Sequence, residues 1–411
     1  MKAFHKVPHK RLITKLESYG LSNQIIKWVD NFLNERNQKV TVNGNESSNR
    51  PVTSGIPQGS VLGPILFVIY INDLPECVEA NTYLFADDTK IFREIKTEED
   101  RKHLQDDLDK LQQWSDTWLL KFHPNKCKVM SISNKRLTEV TTTYYLHDQD
   151  GKSVELSRSE GEKDLGVMVD DKVNFDKHIQ QQVNKANSIM GLIRRTYTFL
   201  DETSFRYLFQ ALVRPHLEYA EAVWSPFTKK DIDTIEKVQK RATKLIPSLK
   251  NMDYPNRLKK LKMPTLQYRR LRGDMIEVYK IINGIYDHKV VTGFFELSDV
   301  EQTRGHNKKL RKLSCKINKR KNYFSNRVID VWNNLPQEAV SAKSVKDFEI
   351  AIDKHWENQE MKYNHNANIE LKTGRKRSYT TIQRDDDKIE ADKVVKYTLA
   401  ADLITGELAF P

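Results

Sequence analysis

The sequence predicts an α+β fold in which a mixed first part is followed by an all-helical second part. In residues 1–175, short apolar runs alternate with turn residues, and Asn43-Gly44 and Asp150-Gly151 are hairpin signals. From residue 176 onward, apolar residues recur every three or four positions, and Gly or Pro separates several of these stretches. We therefore expect an antiparallel sheet backed by helices, followed by a helical bundle.

Local patterns place the elements of the first part. Ser22 is a candidate N-cap, and Thr97 precedes a long amphipathic stretch with Leu104, Leu108 and Leu111 at helical spacing. The patterns predict helices over His9–Tyr19, Ser22–Glu35, Val61–Ile71 and Thr97–Phe122, and strands over Lys39–Val42, Thr82–Phe85, Thr89–Phe92, Lys128–Ser133, Thr141–Leu146 and Val154–Leu156.

The second part carries long amphipathic stretches with prolines between several of them. Asn358 to about Glu390 is polar and predicts a flexible segment, and Val394–Phe410 adds a short element to which we assign no function. We expect a sheet-and-helix region over 1–175, a helical region over 176–290, a basic region over 291–357 and a polar tail over 358–411. The predicted helices are Gln180–Leu200, Glu202–Glu221, Asp231–Leu245, Thr265–Tyr286 and Ala342–Trp356.

Composition limits the class of protein. The 411 residues include 68 Lys and Arg against 56 Asp and Glu, a net charge of +12, and such a field attracts polyanions. No run approaches the ~20 apolar residues of a membrane-spanning helix, and the first residues form no apolar signal region. Cys77, Cys127 and Cys315 lie far apart without zinc spacing, so we expect reduced thiols inside the cell, in the nucleus or cytoplasm.

The most informative stretch is Phe85-Ala86-Asp87-Asp88, which stands between two short apolar runs. Adjacent carboxylates on a half-buried hairpin repel each other and both require solvation. A divalent cation removes this conflict, because Mg²⁺ takes carboxylate oxygens and keeps water for a substrate phosphate. The alternative is a solvated Asp-Asp turn, which is the better interpretation for an isolated pair.

A second stretch lies about thirty residues upstream, Ser54-Gly55-Ile56-Pro57-Gln58-Gly59-Ser60-Val61-Leu62-Gly63-Pro64-Ile65-Leu66-Phe67. Its glycines and proline predict a rigid loop with few side chains, which a ligand can approach closely. Alone it is also compatible with an ordinary loop before a core helix. Followed at this distance by an aromatic-Ala-Asp-Asp hairpin, it becomes specific.

On these two stretches the chain resembles the reverse transcriptases of non-long-terminal-repeat retrotransposons, most closely the jockey type. Phe85 stands where the commoner residue of that family is Tyr. The resemblance extends over roughly residues 1–357 through further ordered blocks, namely Trp118–Cys127, Lys163–Val167, Val213–Ala220, Val223–Pro226 and Asn322–Val328.

The resemblance implies a partial polymerase palm, a helical thumb and an RNA-directed DNA polymerase activity. The implied cofactor is Mg²⁺, with Mn²⁺ as a substitute, and the implied partners are an RNA template, a DNA primer and deoxynucleoside triphosphates. The residues implied in catalysis are Asp87, Asp88 and Lys126, with the two aspartates as metal ligands. Those implied in substrate binding are Phe4, Pro57, Gln58, Gly59, Phe85 and Ala86.

One block of the family pattern is incomplete. The pattern D-x-S-K-A-F-D-x-V-x-H aligns with Lys2-Ala3-Phe4, which puts its first aspartate two residues before Met1 and His5 on its second. We therefore expect a polymerase without fingers and with impaired turnover. The alternatives are a non-catalytic nucleic-acid-binding remnant and a decayed element fragment.

The segment from Arg304 to Arg327 contains ten basic residues and no acid. This pattern predicts a contact with nucleic-acid phosphates, and Tyr323 and Phe324 are candidates for stacking on bases. The alternative is a solvated basic loop. The basic residues are Arg304, Lys308, Lys309, Arg311, Lys312, Lys316, Lys319, Arg320, Lys321 and Arg327.

Overall fold

The computed structural model describes residues 3–132, 142–298, 305–315, 318–371 and 397–401. The chain divides into two compact units, which are treated separately below. The first unit comprises residues 1–164, 169–173 and 391–411, and the second comprises 165–168 and 174–390. None of the helices described is both long enough and apolar enough to cross a bilayer.

The first unit combines four helices with short strands. The helices are α1 His9–Ser18, α2 Asn23–Leu33, α3 Leu62–Ile71 and α4 Glu98–Trp118. The strands are β1 Asn37–Gln38, β2 Thr41–Val42, β3 Asn45–Glu46, β4 Arg50–Pro51, β5 Asn81–Phe85, β6 Asp88–Glu94, β7 Lys128–Ile132, β8 Tyr145–His147, β9 Ser153–Glu155, β10 Ser157–Arg158, β11 Gly161–Asp164, β12 Val167–Asp170, which runs across the boundary of the units, and β13 Tyr397–Ala401.

The helix ends follow from capping. The Ser22 hydroxyl accepts a hydrogen bond from the Ile25 amide at the start of α2. Thr97 and Asp100 form a reciprocal capping box at the start of α4. This helix ends at Trp118, before the predicted Phe122, because Leu119 adopts a left-handed conformation with φ of 57°.

The main sheet of the first unit has five strands in the order β10-β7-β13-β6-β5. β5 and β6 form an antiparallel hairpin, and β13 is antiparallel to both β6 and β7. β10 is parallel to β7. The prediction of an antiparallel sheet is therefore wrong for this pair of strands. The short element expected within Val394–Phe410 is thus a central strand of this sheet.

Lys15 occupies the centre of the helical layer. Its ammonium lies 4.0 Å from the ring centre of Trp118 and 4.8 Å from that of Trp114, and it forms an ion pair of 2.5 Å with Asp73. It also donates to the carbonyl of Tyr70. Burial lowers the pKa of Lys15, and the neighbouring Asp73 opposes that shift. One cation therefore connects α1, α3 and α4.

The segment Ala3–Lys6 packs against the glycine loop. The Ile56 amide donates to the Phe4 carbonyl at 2.8 Å, and the Gly55 amide donates to the Val7 carbonyl at 2.8 Å. Gly55 has a φ of 90°, and a Cβ there would lie 2.7 Å from the Cα of His5. The close approach therefore requires glycine both for its backbone conformation and for its lack of a side chain.

The second unit is helical. Its helices are α5 Asp176–Thr196, α6 Glu202–Leu208, α7 Arg214–Glu218, α8 Glu221–Trp224, α9 Lys229–Ala242, α10 Tyr254–Leu261, α11 Leu266–Ile282, α12 His288–Val291, α13 Asn318–Asn322, α14 Phe324–Arg327, α15 Ile329–Trp332, α16 Gln337–Val340 and α17 Val345–His355. The single helix predicted over Glu202–Glu221 is interrupted. A π-helical turn over Phe209–Val213 precedes Pro215, whose missing N–H breaks the regular hydrogen-bond ladder.

The core around α11 extends into part of the predicted polar tail. Met361 is buried, and the Thr265 hydroxyl and amide donate to the carbonyls of Met361 and Lys362. These bonds satisfy the start of α11. Met361 and Lys362 therefore pack at the start of this helix, within the segment whose composition predicted flexibility.

Glu221 and Gly273 meet inside the second unit. A Cβ on Gly273 would lie 2.1 Å from Glu221 Oε1, so only glycine leaves room for this carboxylate. Glu221 Oε2 is enclosed and accepts no hydrogen bond from the described residues. Burial raises the pKa of Glu221 to about 8, with a further contribution from Glu218.

We predict that Gly55→Ala lowers the free energy of unfolding by roughly 3 kcal/mol or more, because a left-handed backbone and a steric overlap are combined. Gly44→Ala is the matched control, since Gly44 has a φ of 81° with no neighbour within 4 Å. It should cost only about 1 kcal/mol. Urea unfolding of both variants measures the difference, and equal losses would contradict the packing described for Gly55.

We predict that Glu221→Gln reduces the pH dependence of stability. The unfolded carboxyl releases its proton near 4.5 and the folded one near 8. The stability that the bound proton contributes is therefore complete below 4.5 and is lost as the pH rises toward 8. The variant should gain thermal stability relative to the wild type as the pH rises from 5 to 8.

The matched control is Glu357→Gln, which neutralises an exposed acid. Melting temperatures measured from pH 5 to pH 8 compare the three proteins. A Glu221→Gln profile parallel to that of the wild type would show that Glu221 does not titrate in this range.

Candidate active site

The two aspartates lie at a tight turn of the β5–β6 hairpin. Phe85 pairs with Asp88, so Ala86 and Asp87 form a two-residue loop, in which Ala86 has a φ of 50°. Asp87 is only 3% exposed, whereas Asp88 is half-buried. The hairpin therefore presents two neighbouring carboxylates in different environments.

The pKa of Asp88 is raised above its ordinary value. Burial raises its pKa most, and the charge of Asp87 raises it further. Lys90 lowers the pKa of Asp88, and Asp164 raises it. Lys90 itself forms an ion pair with Asp164. Asp88 and Lys90 are two residues apart on β6 and therefore lie on the same face of the strand.

These residues fit a magnesium ion of the kind that needs few protein ligands. Mg²⁺ is commonly held by one or two carboxylates and completes its shell with water and substrate phosphates. A cation between Asp87 and Asp88 would relieve the repulsion that raises the pKa of Asp88. Among the residues described, no group of three or more His, Cys, Asp or Glu is placed to hold a metal. The donor set is thus a pair of carboxylates.

The glycine loop is fixed at its base and open at its tip. His9 Nε2 and Arg36 Nη2 lie 2.9 Å and 2.8 Å from the Gly55 carbonyl oxygen. The Ser60 hydroxyl donates to the Pro57 carbonyl and accepts from the Gly63 amide. Pro57 is half-buried.

The tip itself is formed by Gln58 and Gly59, which are exposed. Gly59 has a φ of 82°. The candidate contacts at these two positions are therefore accessible to a ligand.

Phe4 and Phe85 differ in accessibility. The ring of Phe4 stacks on Phe67 with centroids 4.3 Å apart, and only 9% of the residue is exposed. Phe85 is 57% exposed at the end of β5. Phe4, Ile56, Phe67 and Ile91 belong to one hydrophobic core, which joins the N-terminal segment, the loop and the hairpin.

Lys126 is the last residue of a short 3-10 turn, Pro124–Lys126, that precedes β7. The turn is fixed by the Lys126 amide, which donates to the His123 carbonyl at 2.8 Å. The Lys126 residue is exposed. Its ammonium therefore lies at the surface of the first unit.

Several basic residues of the segment Arg304–Arg327 already have partners within the second unit. Lys308 donates to Asn283 at 2.6 Å, Arg311 pairs with Glu296 at 3.3 Å, and Lys312 pairs with Asp330. Lys309 and Lys319 also make contacts and are half-buried.

Arg320 and Lys321 are exposed, and the Arg320 guanidinium lies over the exposed ring of Tyr323 at 5.2 Å. Arg304 lies outside the described residues. Arg311 and Lys312 are exposed as well, but each is paired with an acid, so we take the end of α13 as the candidate contact.

Arg327 and Phe324 are inside the fold. The Arg327 guanidinium forms a bidentate pair with the buried Asp274, with distances of 2.8 and 3.1 Å. Phe324 packs edge to face against Phe295. The charge of Arg327 is thus used within the second unit.

Sequence reasoning missed Lys90, Asp164 and Arg36. The two-residue spacing from Asp88 was sufficient to place Lys90 on the same strand face. Asp164 stands in a block that matched the family, but 74 positions separate it from Lys90. Nothing in the local sequence of Arg36 indicates that it holds the Gly55 carbonyl.

A family model matches the part of the chain that contains these residues. Residues 1–208 match the family model described as "Reverse transcriptase (RNA-dependent DNA polymerase)". The match includes the glycine loop and the Asp87-Asp88 hairpin.

Individual relatives point the same way. The chain is 27% identical over 256 residues to the "RNA-directed DNA polymerase from mobile element jockey" of Drosophila melanogaster, covering 59% of this chain and 27% of that protein. The jockey polymerase of Drosophila funebris is 28% identical over 263 residues, with the same shares.

The "Probable RNA-directed DNA polymerase from transposon BS" of Drosophila melanogaster is 27% identical over 266 residues, covering 59% of this chain and 28% of that protein. The chain spans about a quarter of the length of these curated relatives. The loop, the aspartate hairpin and these matches together show that the chain belongs to the reverse transcriptase (RNA-dependent DNA polymerase) family, in its non-LTR, LINE-type branch.

Proposed function

We propose that this chain carries the nucleotidyl-transfer site of an RNA-directed DNA polymerase, with Asp87 and Asp88 at its centre. The observation that carries the proposal is the two-residue turn that holds both carboxylates, one of them 3% exposed, in a member of the reverse transcriptase family. A solvated surface turn would leave both groups in water. The RNA template, the DNA primer and the deoxynucleoside triphosphates are proposed from the family.

Asp87 and Asp88 would hold Mg²⁺, and Mn²⁺ is a chemically similar substitute. When bound, such ions lower the pKa of an attacking primer hydroxyl and stabilise a pyrophosphate leaving group. Asp87 is kept in place by its burial in the turn. Asp88 is half-buried, and burial together with the charge of Asp87 raises its pKa, so a bound cation would stabilise its charged form.

The residues around the pair have separate roles. Gln58 and Gly59 form the accessible tip of the loop and would contact the nucleotide and template, with Pro57 stiffening the loop behind them. Phe85 and Ala86 border the carboxylates. Phe4, stacked on Phe67, would limit space beside a sugar from within the core rather than by a broad surface contact.

Lys90 and Lys126 are the cations that we assign to the first unit's phosphate contacts. Lys90 is held beside Asp88 through its pair with Asp164. Lys126 is exposed and would contact a phosphate or protonate pyrophosphate. The helical second unit would serve as the thumb, and the exposed end of α13 would contact nucleic-acid backbone.

Turnover by this chain alone should be slow. Two divalent ions bring four positive charges, and the described residues supply two carboxylates at the turn. The two carboxylates offset only half of that charge, and each factor of ten in rate that is lost for this reason is about 1.4 kcal/mol of barrier. The same observation favours a second candidate function, a nucleic-acid-binding protein without turnover.

We predict slow Mg²⁺-dependent extension of oligo(dT) on poly(rA) by the wild type, and no extension by Asp87→Asn, because the buried carboxylate has no substitute. Primer extension measures the activity, and a gel shift of the same duplex measures binding. Wild-type protein that shifts the duplex but adds no nucleotide would establish the binding function instead.

Metal affinity provides a separate measurement for the same pair. We predict that Asp88→Asn weakens Mn²⁺ binding at least about tenfold, as measured by the paramagnetic resonance of free Mn²⁺, because the variant removes a ligand charge. Asp171→Asn is the matched control on the half-buried Asp171 outside the turn. Equal Mn²⁺ affinities in the two variants would show that Asp88 is not a metal ligand.

We predict that Arg320→Gln/Lys321→Gln reduces the salt dependence of single-stranded RNA binding. Each phosphate contact contributes about 0.7 to the slope of log affinity against log salt, so the loss should be about 1.4. Lys343→Gln/Lys346→Gln removes the same charge from exposed positions outside the segment Arg304–Arg327 and should leave the slope nearly unchanged. Equal slopes for both double variants would show that net charge, and not the end of α13, binds RNA.

A further inference from the structure

The central strand of the first unit's sheet comes from the distant end of the sequence. β13 lies between β6 and β7 and pairs antiparallel with both. Leu399 is opposite Phe92 on one side and Met130 on the other. Among the strands that the structure describes, β13 is the one that joins β6 to β7 in this sheet.

The two flanking strands form a gap that requires a strand. Ile91 on β6 and Val129 and Met130 on β7 are buried beside it. Without β13, both strands would present a row of unpaired backbone amides and carbonyls above a hydrophobic core. The gap is about 9–10 Å wide, the width that one intervening strand needs. It therefore has the shape and hydrogen-bonding pattern of an acceptor for one extended, antiparallel segment.

The connection to β13 is long. Residues 372–396 separate it from Leu371, and an extended chain of that length reaches up to roughly 80 Å. Neither β6 nor β7 is joined to β13 by a tight turn. A strand attached in this way depends on main-chain hydrogen bonds to its two neighbours, as in strand addition by a peptide.

We propose that β6 and β7 form a strand-acceptor site and that residues 397–401 of the same chain are its exchangeable occupant. Because β6 begins at Asp88, the occupant also supports the strand that carries the carboxylate turn. The proposal concerns strand pairing alone, and the readouts below do not depend on polymerase activity.

The first test is a cross-link in the full-length chain. Thr398 is opposite Ser131 in the β13–β7 pairing, so Ser131→Cys/Thr398→Cys places two thiols at directly opposed positions. Ser131→Cys/Ala401→Cys is the control, because Ala401 is opposite Lys128 instead. We expect an intrachain disulfide in the first variant and none in the control, identified by peptide mass spectrometry so that the native cysteines stay in place.

An interchain disulfide would overturn the assignment of the occupant and show that a second copy supplies the strand. Equal cross-linking in both variants, or none in either, would overturn the register and with it the site.

The second test measures exchange. A chain ending at Glu390 lacks the strand, and a chain ending at Ala401 keeps it and is the control. Hydrogen exchange of Lys128–Ile132 should be at least about tenfold faster in the shorter chain. A synthetic peptide of residues 394–404 should restore protection, and a scrambled peptide should not. Unchanged exchange would overturn the site, and a shorter chain that stays unfolded with the peptide would overturn exchangeability.

Discussion

Two consecutive carboxylates repel each other, and the first unit holds them in place despite this repulsion. The hairpin leaves only Ala86 and Asp87 between its paired strands, so the turn cannot relax by moving the charges apart. Asp87 is buried, and Asp88 shares its strand face with Lys90. In the proposed site, a divalent cation would offset the like charges of this pair.

The surrounding fold supports that turn from several directions. The alternate residues of β6, Thr89 and Ile91, are fully buried, which fixes which strand face carries Asp88. The core that contains Ile91 also contains Phe4 and Ile56. The glycine loop and the aspartate hairpin are thus built on the same packed side chains, although they are separated in sequence. The family match includes both the glycine loop and the aspartate hairpin, and the packing of the core joins the same two segments.

The sequence predicted the elements whose causes are local. The Asp87-Asp88 hairpin, the Asn43-Gly44 turn and the capped start of α4 at Thr97 follow from turn and cap chemistry within a few residues. Element ends were less accurate, since α4 ends at a left-handed Leu119 that no local pattern indicates. The break before Pro215 was readable from its missing amide.

Long-range partners were not predictable in the same way. The pairing of Lys90 with Asp164 and the support of the Gly55 carbonyl by Arg36 depend on the tertiary path of the chain. The position of β13 is another example, because the sequence of a short strand does not indicate which other strands it pairs with.

The setting of Lys15 has a consequence for chemical labelling. Its amine lies under two indole rings and beside Asp73, with 2% of the side chain exposed, so acylating reagents in solvent have no path to it in the folded chain. Burial lowers the pKa of Lys15 in the folded chain, and an opening that admits a reagent removes this effect by returning the amine to solvent. The rate at which Lys15 is acylated would therefore report how often α1, α3 and α4 separate enough to expose its amine to solvent.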